Sequence, residues 1–324
     1  MIDTALKSLR RRAIGRGLCS ATAITLLALA GTATAQASAA PTIRFGTPTW
    51  PGVTVKSEVA ARIVQTMGYR TSQQNAGPSF IVNSLKTDDL DVYLGGWMPT
   101  EKDMIKPAQD AGKVDVLATN ISGATMGLAV PKYVWDAGVH TEADLAQHAG
   151  KFDRKIYGIE AGTGFNQAIK EAIDNDRDDL GDWQLVPSST SAMLSQVGRS
   201  IKRDEWIVFL GWEPHWMNVR YDIRYLEAVG EPKIADTRSD VLTVVNPKLV
   251  RNEPQVAQFL RQYVVSKDDQ SKWVLEYSYE ERKVDAVASE WIGNHLDTVA
   301  RWLDGVKTRD GHPAIDAVRA KYGS

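Results

Sequence analysis

Three tryptophans stand in matching surroundings: Trp50 in TPTWPG, Trp97 in LGGWMP and Trp212 in LGWEPH. Each is predicted to sit just past the end of a β-strand, with a proline one or two residues later. An indole face attracts a cation, most of all one that sheds water cheaply, such as a methylated ammonium. Indoles converging from several strand ends would form a cage for such a head group. The stretch Trp50–Pro51–Gly52–Val53–Thr54 adds a second kind of chemistry. It leads from a strand into a helix, whose first N–H groups are unpaired and partly positive, so a carboxylate can rest there. Gly52 and Val53 supply those amides, Thr54 a hydroxyl and Trp50 an aromatic wall. A cation cage beside an anion seat fits a zwitterion such as a betaine. The same residues also fit a buried indole ahead of an ordinary proline-initiated helix.

Two more stretches join these candidates. Glu160–Ala161–Gly162–Thr163–Gly164–Phe165–Asn166 passes from strand to helix through glycines, and offers Thr163 and Asn166 as polar contacts. It lacks both the lysine of a phosphate loop and the third glycine of a dinucleotide fingerprint. Trp212–Glu213–Pro214–His215–Trp216 places two indoles, a carboxylate and an imidazole together. His215 could donate to a ligand carboxylate or make a structural hydrogen bond, and Trp216 is expected in the core. A hydrolase built on Glu213 and His215 is the rival from another class, but no nucleophile or G-x-S-x-G elbow accompanies them. The histidines show no metal-ligand spacing, so neither a metal nor a cofactor is expected.

The elements that must position these residues alternate in type, as in parallel sheets covered by helices. Strands are predicted at 42–48, 90–94, 114–118, 126–130, 155–159, 183–187, 206–210, 223–226 and 241–245. Helices are predicted at 53–68, 80–85, 166–174, 190–201, 256–265, 284–303 and 313–321. Thr141 and Asp144 have the spacing of a capping box. The chain crosses near Ser122–Thr125 and returns near Asn218–Tyr221. One α/β lobe is therefore expected to hold residues 42–124 and 222–324, and the other residues 125–221. Clefts between such lobes are preferred ligand sites.

The first forty residues differ from the rest. Lys7, Arg10, Arg11, Arg12 and Arg16 precede the short apolar run Ala21–Ala30 and small-residue steps near Ala35 and Ala39. This order predicts a secretory signal peptide over residues 1–40 and a periplasmic product, the apolar run being too short to span a bilayer. The single cysteine, Cys19, falls inside this leader, so the remainder can form no disulfide. Removing the five basic residues and Asp3 from totals of 38 and 40 leaves 33 basic against 39 acidic groups, a net charge of −6. That balance argues against nucleic acid as a partner.

The strings DLDVYLGGWMPT, YGIEAGTGFNQAI, SSTSAMLSQV and IVFLGWEPHWMNVRYDIRYLE resemble the substrate-binding proteins of glycine betaine, carnitine and choline ABC importers. The likeness runs over about residues 42–320. It implies a two-lobed type II periplasmic binding protein, monomeric, that closes on a quaternary ammonium ligand and delivers it to an inner-membrane ABC permease. It also implies that Trp50, Trp97 and Trp212 are box aromatics, and that Gly52–Val53 is the carboxylate seat of the betaine-binding members. Two departures bear on the ligand. Choline-binding relatives carry an aspartate where this chain has Gly52, and a tyrosine where it has Met126. Both changes favour glycine betaine or carnitine over choline, with a choline receptor as the alternative.

Overall fold

The computed structural model describes residues 40–228 and 238–323; the expected leader, up to Ala39, lies outside them. Among the described residues nine strands share one sheet: β1 (Thr42–Thr47), β2 (Arg70–Asn75), β3 (Val92–Met98), β4 (Asp115–Pro131), β5 (Lys155–Tyr157), β6 (Gln184–Val186), β7 (Val208–Glu213), β8 (Ile223–Tyr225) and β9 (Arg238–Val245). Their order is β2-β1-β3-β9-β4-β7-β5-β6, with β8 paired to β4. The two ends are parallel, β2-β1-β3 on one side and β7-β5-β6 on the other. The centre is antiparallel, because β9 runs against both β3 and β4, and β4 against β7.

Helices pack around this sheet. The first group is α1 (Pro51–Thr66), α2 (Pro78–Thr87), α3 (Lys102–Asp110), α4 (Lys132–Asp136), α5 (Asp144–Gln147), α6 (Gly164–Asp174) and α7 (Thr190–Lys202). Beyond them lie α8 (Met217–Arg220), α9 (Pro247–Asn252), α10 (Pro254–Gln262), α11 (Lys267–Val274), α12 (Val284–Asn294), α13 (Leu296–Trp302) and α14 (Ala314–Tyr322). The four-residue spacing of Val55, Val59, Ile63 and Met67 puts all four in the core, so α1 buries one continuous stripe. The capping box is present: Asp144 N–H donates to Thr141 Oγ1 at 3.3 Å, and Thr141 N–H donates to Asp144 Oδ2 at 2.8 Å. No helix among the described residues is long and apolar enough to cross a membrane.

Three expectations need correction, and one strand has no counterpart among them. The strands predicted at 114–118 and 126–130 are one strand, β4, because β9 pairs along the stretch between them through shifts in register. Asp240 on β9 accepts the Gly123 N–H at 3.0 Å there, which holds the irregular stretch in the ladder. β2, sequence RTSQQN, shows no apolar alternation, since it is an exposed edge strand held through its backbone to β1. The helix predicted over 284–303 is two helices, broken at His295, whose backbone leaves the helical region. The His295 ring stacks on Trp291 at 4.4 Å and its Nδ1 meets the Trp291 carbonyl at 2.8 Å, which holds that break in place. Finally, Trp97 lies within β3 and Trp212 within β7, not beyond their ends; only Trp50 follows its strand.

One buried charge-bearing group sits between α1 and the central strands. Lys56 is 1 % exposed, and its Nζ donates to Asn120 Oδ1 on β4 at 2.5 Å. Asn120 in turn donates to the Leu94 carbonyl at 3.2 Å and to Thr243 Oγ1 at 3.1 Å. No carboxylate lies within ion-pair distance of Lys56 among the described residues. Desolvation without a counter-charge lowers its pKa to about 7.

Candidate ligand-binding site

Three separate elements bring Trp50, Trp97 and Trp212 to the wall of one small cavity, of about 20 Å³. Trp50 arrives at the N-terminal cap position of α1, where Pro51 starts the helix and an extended backbone turns the indole inward. Trp97 comes from β3, opposite Val241 of β9. Trp212 comes from β7, directly opposite Met126 of β4. Each of the three indoles is at most 7 % exposed, so any ligand between them is stripped of water. Met126 lines the cavity too, and Thr100 Oγ1 points to its sulfur at 3.5 Å.

The remaining wall is built by the segment that leads into α6. Ile159, Thr163, Gly164 and Phe165 all face the cavity. Thr163 caps the helix, its Oγ1 accepting the Asn166 N–H at 3.4 Å. Asn166 ties the strand end to the helix through the Ile159 N–H and carbonyl, at 3.1 and 2.8 Å. Its amide is thus used locally rather than offered to a ligand. Glu160 links this segment to its surroundings: it accepts from Thr190 N and Oγ1, each at 3.0 Å, and from Thr49 Oγ1 at 2.9 Å. Thr49 immediately precedes Trp50, so this carboxylate holds the α6 and α7 entrances against the Trp50 segment.

The other sequence candidates lie behind the wall. Gly52 and Val53 are buried in the first turn of α1 but are not lining residues. A Cβ on Gly52 would stand 2.6 Å from Gln270 Nε2, so the space opened by this glycine is taken by α11. The Thr54 hydroxyl donates to the Trp50 carbonyl at 3.0 Å and closes the first helical turn. His215 is 1 % exposed and backs Trp212, ring centroids 4.8 Å apart in an edge arrangement. Its Nδ1 accepts the Met217 N–H at 3.2 Å, and burial lowers its pKa to about 3, so it stays a neutral imidazole. Trp216 packs in the core and donates to Ser278 Oγ at 2.7 Å. Glu213 faces Lys267 at 3.8 Å.

A supporting position for His215 gives a specific expectation. Edge-to-face aromatic pairs contribute about 1 kcal/mol beyond buried area. His215→Ala should therefore weaken ligand binding about fivefold. Wild type and His215→Gln should show the same pH profile of affinity between pH 5 and 8, read by fluorescence titration. A step near pH 6.5 confined to wild type would mean that the imidazole ionises in the bound protein.

Sequence reasoning did not single out Glu101, Thr100, Ile159 or Phe165 as part of the cavity. Glu101 follows Trp97 by one helical turn, and its N–H donates to the Trp97 carbonyl at 2.7 Å. It is 3 % exposed, and Tyr93 Oη lies 3.1 and 3.2 Å from its two carboxyl oxygens. Burial raises its pKa well above the usual carboxyl range, against the opposing hydrogen bonds from Tyr93 and the backbone. An acidic residue four positions after a box indole, at a helix start, is the signal that could have found it.

Comparison with known proteins places the chain among transport receptors. The family described as the substrate-binding domain of ABC-type glycine betaine transport systems, OpuAC, matches residues 41–294. The glycine betaine/carnitine transport binding protein GbuC of Listeria monocytogenes is 35% identical over 168 residues, 52% of this chain and 53% of that protein, about half its length. An ABC-transporter choline binding protein solved with choline is 32% identical, with a TM-score of 0.83 over 87% of this chain and 98% of that one. Lactococcal OpuAC, in a closed form with glycine betaine, is 27% identical, with a TM-score of 0.72 over 81% and 99% of the two chains. The shared architecture is the two-lobed type II binding-protein fold.

Proposed function

The chain belongs to the family of substrate-binding domains of ABC-type glycine betaine transport systems, and we propose that it captures a trimethylammonium zwitterion, glycine betaine or carnitine, for a membrane permease. It is the substrate-binding component of an ABC importer for quaternary ammonium compounds. The observation that supports the ligand class is the convergence of three indoles from α1, β3 and β7 on one cavity whose walls carry no cationic side chain. Trp50, Trp97 and Trp212 surround the ammonium, each contributing roughly 0.5–2 kcal/mol once water is excluded. Thr163 closes the far side, and His215 steadies Trp212 from behind.

In this reading residues 42–124 and 222–324 form one lobe and 125–221 the other, with the ligand held between them. The protein acts as a periplasmic monomer, exported by the leader at 1–40, and binds without turnover. A hydrolase is disfavoured because His215 is buried with its Nδ1 taken up by the Met217 N–H, and Glu213 faces Lys267 instead of it. A choline receptor is the second reading, favoured by the acidic Glu101 in the wall.

Calorimetric titration of residues 41–324 with glycine betaine, carnitine, choline and unmethylated amino acids tests the proposal. Binding is expected only for the methylated ammonium compounds, and a response confined to unmethylated amino acids would overturn it. Trp97→Ala should weaken the best ligand at least tenfold, since ~1.4 kcal/mol corresponds to a factor of ten. Unchanged affinity in that variant would remove Trp97 from the cage.

A further inference from the structure

Glu101 is the charged residue among those that line the tryptophan cavity. No lysine, arginine or histidine lies within ion-pair distance of it among the described residues. Its carboxyl meets the Tyr93 hydroxyl, and its backbone N–H donates to the Trp97 carbonyl. A buried carboxyl of this kind is held neutral by its surroundings, because an isolated charge in an apolar site is strongly disfavoured. That preference reverses once a permanent positive charge occupies the same cavity.

Resting on the proposed quaternary ammonium function, we propose that Glu101 is a specificity-determining charge partner, which lets the cavity take an organic cation that carries no carboxylate of its own. A betaine brings both charges. With Glu101 ionised, it would leave one uncompensated negative charge among indoles, so betaine binds with Glu101 protonated. A trimethylammonium alcohol of the choline class brings only the cation. It is neutralised by the Glu101 carboxylate, and the proton leaves the carboxyl oxygen for the solvent. The position that Gly52 leaves without a carboxylate is thus compensated from α3 rather than from α1.

The elements facing Glu101 contribute few other titrating groups. β3 presents Tyr93 and Trp97, β4 presents Met126, and β7 presents Trp212. The entrance to α6 presents Thr163, Gly164 and Phe165, and α1 presents Trp50. Of these Tyr93 alone can ionise, and burial pushes its phenol further from doing so. Lys56 also titrates near neutral pH, so a proton exchanged on cation binding identifies Glu101 when Glu101→Gln abolishes it.

The test is calorimetry of residues 41–324 at pH 7 with choline and with glycine betaine, each in two buffers of different ionisation enthalpy. Choline binding is expected to release up to one proton, and glycine betaine binding none. Glu101→Gln should abolish the release and lower the choline-to-betaine affinity ratio at least tenfold. Tyr93→Phe, which removes the hydrogen bond that favours the carboxylate, should increase the release and weaken choline several-fold. It serves as the second variant should Glu101→Gln fail to fold by circular dichroism. Equal losses for both ligands, or the same proton release in wild type and variant, would overturn the role of Glu101. Wild-type protein that binds no quaternary ammonium compound at all would instead overturn the proposed function.

Discussion

Gly164→Val is expected to weaken ligand binding at least a hundredfold while leaving the protein folded. Gly164 begins α6, and a Cβ built on it would collide with the Thr100 carbonyl oxygen and stand 2.9 Å from the carbonyl carbon. Both obstacles are backbone atoms, so no side-chain rotation relieves the contact. The relief available is separation of the α6 entrance from the segment after Trp97, which opens the cavity both segments line. A hundredfold loss corresponds to ~2.7 kcal/mol. Ligand present at a thousandfold excess over Kd normally stabilises a protein by about 4.1 kcal/mol. The variant should lose most of that ligand-induced rise in Tm, whereas its unliganded Tm should match wild type. Undiminished affinity would show that Thr100 and Gly164 need not approach this closely in the bound form.

The second large effect concerns Lys56 and is a dependence of stability on pH. Its pKa is about 10.5 in the unfolded chain and about 7 in the fold, so between these values the unfolded state binds more protons. Stability must then rise with pH across that window, and the penalty of burying the charge is fully present below pH 7. The window of 3.5 units sets an upper bound of ~5 kcal/mol, at ~1.4 kcal/mol per unit. Lys56→Met lacks the titrating group, although it leaves Asn120 Oδ1 without its donor. In urea denaturation, the stability of wild type relative to Lys56→Met should increase by about 2–3 kcal/mol from pH 7 to pH 9. A constant difference across that range would mean that Lys56 remains charged inside the fold.

These two residues differ in how far the amino-acid sequence announces them. Gly164 stands in a strand-to-helix passage that reads as a cleft-facing loop, yet its opposite number, Thr100, lies 64 positions away and is met only in space. Lys56 falls on the helical face between Val55 and Val59, and nothing in its spacing says that it will meet Asn120 of β4, itself bonded to Thr243 of β9. The periodic elements were legible because a helix with one apolar stripe and a strand with an apolar run have repeating patterns. α1, α7 and β9 lie close to their expected places. Edge strand β2 was not legible, since backbone pairing at an exposed edge requires no apolar pattern.

The chain by itself determined the succession of strands and helices, the three indoles with their prolines, and the helix start after Trp50, because these depend on local periodicity and residue chemistry. The tertiary structure decided which of those features share a cavity. It moved Trp97 and Trp212 into strands, where pairing and pleat direct them inward. It filled the space beside Gly52 with Gln270, set His215 behind Trp212 and brought Glu101 into the wall. Convergence of residues from five distant segments depends on how sheets and helices pack, and no short-range pattern encodes that distance.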